Sequence, residues 1–243
     1  MSEETKSKPQ YFPQIFDQPS IDHAASIILT SEAGISTEQR WERETPYLVN
    51  LIRDGLGLHK REASAPSPLV LDYGCGIGRL AVELVDRGAV VIGVDISANM
   101  RAQALQYAEG RPEFTAVSPD MFAKLVAAGL RVDAAFSVWA LQHVLDIKAA
   151  ISGIKAALVP GGRVALVNSR RRLVPVVEAV EGASPSGRVN QSWADDGFNV
   201  SSYMGTEFTP VLGRNLNPAK VGDAVAGSSF FGTWEKSHEK SNM

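Results

Sequence analysis

The stretch Leu69-Val70-Leu71 runs straight into Asp72-Tyr73-Gly74-Cys75-Gly76-Ile77-Gly78, after which Leu80, Ala81, Leu84 and Val85 recur with helical period. An apolar run this short, bounded by Pro68 and Gly74, reads as a buried parallel strand rather than a helix. Three glycines at alternate positions permit positive φ and let the backbone approach a ligand with no Cβ in the way. The helix that follows offers its N-terminal amides to the same space. A strand, a glycine turn and a helix in this order constrain the chain more than any other feature it has.

The alternation continues downstream. Residues 89–94 read as a second strand, and Ser97 as the N-cap of a helix carrying Met100, Ala104, Leu105 and Ala108. Residues 114–117 give a third strand, 121–128 a helix ended by Gly129, and 132–138 a fourth strand. Ile147, Ile151, Ile154 and Leu158 mark an amphipathic helix stopped by Pro160-Gly161-Gly162, with a fifth strand over 163–168. Five strands with intervening helices predict a doubly wound parallel sheet, whose right-handed crossovers bring the strand ends to one ligand-binding edge.

The flanks are less regular. Residues 1–19, polar and broken by Pro9, Pro13 and Pro19, read as an arm. Residues 20–30 have helical spacing, and Ser36 with Gln39 predicts a capping box for a second helix. Thr45 and Pro46 are expected to start a fresh segment that Gly55 and Gly57 end, with 62–68 as a connector. Beyond Arg172, residues 174–181 read as helical, and 198–203 and 228–234 as strand-like.

The ligand at the glycine turn follows from what the turn lacks. A dinucleotide fingerprint would place its third glycine at position 79, but that residue is Arg79 and the glycine falls at 78. Asp72, just ahead of the loop, is an unfavourable neighbour for a pyrophosphate and a favourable one for a cationic amine. Charge excludes other partners. The 243 residues carry a formal charge of −3, which removes the simplest argument for nucleic-acid binding. A single cysteine, Cys75, fits a reducing compartment, and no apolar run reaches the ~20 residues a membrane span needs. The polar N-terminus resembles neither a signal nor a transit peptide, so a cytoplasmic location is expected.

Residues 70–78 resemble the first motif of class I S-adenosylmethionine-dependent methyltransferases. The resemblance continues through Val91-Ile92-Gly93-Val94-Asp95-Ile96-Ser97, then 132–137 with Ala140-Leu141-Gln142-His143-Val144, then 158–163, in order and spacing over residues 68–170. It implies an α/β fold, Rossmann-like and doubly wound, with a mainly parallel seven-stranded sheet. Residues 1–60 would form an arm and helical lid, and residues 61–243 the S-adenosylmethionine-binding domain. Asp72, Gly74, Gly76 and Gly78 would contact the methionine portion of the cofactor, and Asp95 would accept hydrogen bonds from both ribose hydroxyls. Ile96 and Met100 would pack near the adenine, and Ser137 would line the methionine end through its backbone. Asp120 and Met121 stand where the family meets the adenine, although Pro119-Asp120 also reads as an ordinary helix start. Family habit places Trp41 or Tyr47 of the lid at the cofactor or substrate.

His143 is the one histidine near the expected reacting edge. A structural role in its turn is the first reading, with general base as the alternative and His143 as the candidate for it. Cys75 has no activating base nearby and is read as a small buried residue. The cysteine of cytosine-C5 enzymes and the Pro-Pro-aromatic run of adenine-N6 enzymes have no counterpart here, so a small metabolite is the expected acceptor. His23, His59, His143 and His238 lack zinc spacing, and Asp195-Asp196 with Asn199 reads as a polar turn, so no metal is expected. Arg170-Arg171-Arg172 reads as a solvated basic turn, with carboxylate or phosphate recognition as the alternative. Trp41, Trp139, Trp193 and Tyr203 fit a pocket wall or a core equally. The rivals to a methyltransferase are a non-catalytic S-adenosylmethionine-binding module and an NAD-type oxidoreductase.

Overall fold

The computed structural model describes residues 9–29, 36–60, 64–179 and 189–238. Its elements in chain order are β1 (Gln10–Tyr11), α1 (Ile21–Ile28), α2 (Thr37–Leu56), β2 (Leu69–Tyr73), α3 (Arg79–Val85), β3 (Val90–Val94), α4 (Ala98–Tyr107), β4 (Phe114–Val117), α5 (Pro119–Ala127) and β5 (Val132–Val138). They continue with α6 (Ile147–Ala157), β6 (Leu158–Ser169), β7 (Val174–Ala179), β8 (Val189–Ala194), α7 (Val200–Glu207), β9 (Thr209–Arg214), α8 (Pro218–Val221), α9 (Asp223–Ser228) and β10 (Ser229–Glu235).

Seven of the strands form one sheet in the order β4-β3-β2-β5-β6-β10-β9. From β4 to β6 every pairing is parallel, and β10 runs antiparallel to both β6 and β9. The chain winds outward from β2 to β4 and then returns to β5 beside β2. That reversal opens the crevice at the carboxyl ends of β2 and β5 where doubly wound sheets bind ligands. The central strands are buried on both faces. Val70 packs into a core with α2 and α3, and Leu71, pointing the other way, into a core with α6 and α7.

Five expectations give way to packing. Helix α2 passes through Pro46 without a break, because burial of Leu48, Val49, Leu51, Ile52 and Leu56 offsets the one backbone donor lost there. Gly55 lies inside that helix and does not end it; a Cβ there would fall 2.5 Å from Cγ2 of Thr233, so glycine lets α2 lie directly on β10. Gly57, at φ 73°, supplies the left-handed cap. Residues 174–179 form strand β7 rather than a helix; three β-branched valines favour the extended chain, and β1 and β8 pair on either side. The remainder of that call, residues 180 and 181, lies outside the described residues.

Residues 198–203 read as strand-like, but residues 200–207 form α7. Asn199 accepts a hydrogen bond from the amide of Ser202, and Val200 and Met204 bury one helical stripe. The seventh strand is β9 instead. The arm also differs from a free tail over residues 9–19: Gln10 and Tyr11 pair with Val177 and Val176, and the Asp17 carboxylate accepts from the Ser97 hydroxyl at 2.6 Å. Among the described residues no helix is long and apolar enough to cross a membrane.

Candidate active site

One cleft of about 660 Å³ opens at the ends of β2, β3 and β5, within the range of small-molecule sites. Its floor is the glycine turn. Gly74 and Gly76 hold φ of 84° and 53°, and the amides of Gly74 and Cys75 both donate to the Val94 carbonyl. A Cβ on Gly74 would sit 2.1 Å from that of Ala140, so the turn after β5 closes tightly on the loop. Gly74→Ala is expected to cost at least ~1–2 kcal/mol from the left-handed backbone alone, read as a lowered melting temperature.

Two carboxylates face the floor. Asp95 accepts from the amides of Gly76 and Ser97, each at 2.9 Å, one on each oxygen, which leaves further lone pairs on both. Asp72 is buried, and among the described residues no hydrogen-bond donor reaches its carboxylate. Burial, reinforced by the charge of Asp95 and opposed by Arg79, holds its pKa well above the ordinary carboxylate range. A buried carboxyl without a donor is drawn into its ionised form by a cationic amine, whereas a phosphate would oppose that ionisation.

Positive charge reaches the cleft from α2 and α3. Glu44, fully buried, accepts from Arg40 at 2.7 Å, from Arg79 at 3.4 Å and from the Trp139 indole at 3.1 Å. Arg79 also donates to the Thr45 hydroxyl and lies over the Trp41 ring. Both arginines line the cleft. Trp139 holds φ at 56°, a conformation rare outside glycine, and is pinned there by Glu44 and by its amide bond to Val167.

The far half of the cleft is built from the arm, the turn after β5 and the β7–β8 pair. His143 lies between Phe16 and Trp193, with ring centroids 5.2 and 5.1 Å away. Its Nδ1 lies 2.6 Å from the Leu173 carbonyl, which makes Nδ1 the protonated nitrogen and leaves a lone pair on Nε2. Burial, partly offset by that carbonyl, lowers the pKa of His143 and favours the neutral ring. The Gln142 amide nitrogen meets Nε2 at 3.1 Å, while the Gln142 oxygen accepts from the Ser169 amide.

Asp72, Gly74, Gly76, Asp95, Ile96, Met100 and His143 thus share one cleft. Others of the expected set stand outside it. Gly78 caps α3, and the Ser137 hydroxyl donates to the Tyr73 carbonyl at 2.7 Å, tying β5 to β2. Asp120 and Met121 are exposed on the first turn of α5, which Ser118 caps, and only Pro119 of that turn reaches the cleft. Tyr47 accepts from the Asn217 amide, and Trp41 packs against Tyr107, both away from the cleft lining.

Of the basic run, Arg172 is buried and ties the carbonyls of Val144 and Leu145 to Asp196, while Arg171 pairs with Asp195. Arg40, Glu44, Tyr11 and Phe16 were not singled out from sequence. Two charged residues on the buried stripe of α2 are the signal by which Arg40 and Glu44 could have been found.

Residues 70–162 match a family described as a methyltransferase domain. Over 107 residues the chain is 36% identical to the S-adenosyl-L-methionine-dependent Diels-Alderase iccD of Talaromyces variabilis, covering 42% of this chain and 37% of that one. Over 146 residues it is 30% identical to a ubiquinone biosynthesis O-methyltransferase of Methylobacterium sp. (strain 4-46), covering 58% and 59%. The chain therefore spans less than two thirds of either relative. In fold it is similar to the magnesium protoporphyrin IX methyltransferase of Synechocystis PCC 6803 with bound S-adenosylmethionine, at TM-score 0.59 and 18% identity over 95% of this chain and all of that one.

Proposed function

We propose that this chain, whose residues 70–162 match a methyltransferase domain, is a class I S-adenosylmethionine-dependent methyltransferase that moves a methyl group to a small-molecule acceptor. The observation that carries the reading is the Asp72 carboxylate, buried at the cleft floor with no hydrogen-bond donor from the described residues. Asp72 holds the ammonium of the cofactor's methionine portion, and Arg40 holds its carboxylate. Asp95 accepts from the ribose hydroxyls, and Ile96, Met100 and Pro119 wall the adenine. The bound cofactor supplies an electrophilic methyl on a sulfonium. His143, neutral and with its Nε2 lone pair in the cleft, takes the acceptor's proton once Gln142 yields its hydrogen bond. A dinucleotide is the poorer fit, since Asp72 repels its pyrophosphate.

Calorimetric titration with S-adenosylmethionine, S-adenosylhomocysteine and NAD tests this. Both adenosyl ligands are expected to bind and NAD is not. Asp95→Ala should weaken them by roughly 10-fold or more, the worth of hydrogen bonds to a charged group. Binding of NAD alone would sink the reading. Release of S-adenosylhomocysteine during turnover separates methyl transfer from a role in which the cofactor is only held, as a non-catalytic binding module would hold it.

A further inference from the structure

The two halves of the cleft differ in character, and the difference bears on the acceptor. On the cofactor side stand the charged groups: Asp72, Asp95, Arg40 and Arg79. On the other side the wall is Tyr11, Ile15, Phe16, Leu145, Leu173 and Trp193, with His143 lining the cleft beside them. None of these is a cation. Arg172, the nearest basic residue of the turn, is committed to two carbonyls and Asp196 and does not line the cleft. The one acid on this side, Asp146, accepts from the Ala149 amide as the cap of α6.

The wall is also aromatic. Phe16, His143 and Trp193 come from three distant segments and contact one another as tilted rings, yet Trp193 keeps 46% of its surface exposed. Nothing in the cofactor site needs an indole there. A large apolar side chain left open at a cleft is a surface waiting for a ligand, and an aromatic face prefers another ring.

We infer that the acceptor is an uncharged, planar ring compound seated against Trp193 and Phe16. Among the described residues an anion would find no cation on this side, and it would face Asp146 at the rim. A second cation would lie beside the positive sulfonium. A saturated ring of equal size would forgo the aromatic contact. This inference rests on the methyltransferase reading, because it takes the charged half for the cofactor.

Three probes on one skeleton test it by calorimetry on the full chain saturated with S-adenosylhomocysteine: 2-naphthol, decahydro-2-naphthol and 2-naphthoate. The naphthol is expected to bind at least ~5-fold more tightly than either of the others. Trp193→Leu, which keeps apolar bulk and removes the ring, should weaken naphthol binding roughly 3- to 10-fold, the worth of one aromatic contact, and Phe16→Leu likewise. S-adenosylhomocysteine affinity, measured first, should stay within about twofold in both variants, which also shows them folded. No binding of S-adenosylhomocysteine to the wild-type chain would defeat the cofactor reading itself. Normal binding of it with equal affinity for the three probes, preference for the naphthoate, no binding of the naphthol, or indifference to both variants would overturn the acceptor class alone.

Discussion

Glu44→Ala is expected to destabilise the protein by about 3–5 kcal/mol, the usual cost of breaking a buried ion pair by removing one partner. Glu44 is fully buried, and the two guanidinium groups that donate to it, Arg40 and Arg79, are 5% and 3% exposed. Burial already lowers the pKa of Arg79, and Glu44 is the first of the groups holding it up. Without the carboxylate, two like charges remain side by side in a poorly solvated space, and the Trp139 indole loses its acceptor while its backbone keeps a φ of 56°.

For a domain of this size the loss corresponds to a melting temperature lowered by roughly 6–20 °C. Glu44→Gln should fall between the two, since its amide oxygen still accepts from Trp139 but carries no charge. Chemical denaturation of the three proteins measures this directly. A loss under ~1 kcal/mol for the alanine variant would mean that the cleft hydrates both arginines well enough to replace their partner.

The contrast between what was legible in the sequence and what was not follows from the range of the interactions. The glycine turn could be read because its constraints are local: Gly74 needs positive φ and close approach whatever the rest of the chain does. The caps at Ser36, Ser97 and Ser118 are equally local, each accepting from an amide three residues on. The Glu44 cluster joins residues from α2, α3 and the turn after β5, up to 95 positions apart, and no window of sequence contains it.

The arm was illegible for a different reason. It docks through two residues of backbone pairing and single side chains such as Asp17 and Phe16, none of which forms a period. In α7, Val200 and Met204 make only one helical repeat, too short a stripe to outvote an apparent strand. Asp120 shows the limit of motif transfer: its place after β4 is as expected, yet the cap at Ser118 sets it on the exposed turn.

Asp72→Asn should move binding and stability in opposite directions. The Asp72 pKa is raised in the fold, first by burial and then by Asp95. A carboxyl whose pKa rises on folding favours the folded state at low pH, and that favour is lost as pH climbs through the raised value. As pH rises above the ordinary carboxylate value, the ligand-free protein therefore bears a growing cost at Asp72, whose charge the site solvates poorly. The asparagine variant does not, and its melting temperature should equal or exceed that of the wild type there. The difference should vanish as pH approaches the ordinary carboxylate value, about 4.

Cofactor binding should show the reverse, because an ammonium is stabilised only by the ionised form. Loss of that charge pair should cost about 2–5 kcal/mol, a Kd raised roughly 30-fold or more. Binding to the wild type should also release protons near the raised pKa, as the arriving cation draws Asp72 into its charged form, and binding to Asp72→Asn should not. Calorimetry of S-adenosylhomocysteine in two buffers of different ionisation enthalpy reads both quantities at once. Equal affinity and equal proton release in the two proteins would remove Asp72 from the site. Weaker binding without a stability gain would mean that water entering the open cleft already solvates the carboxylate.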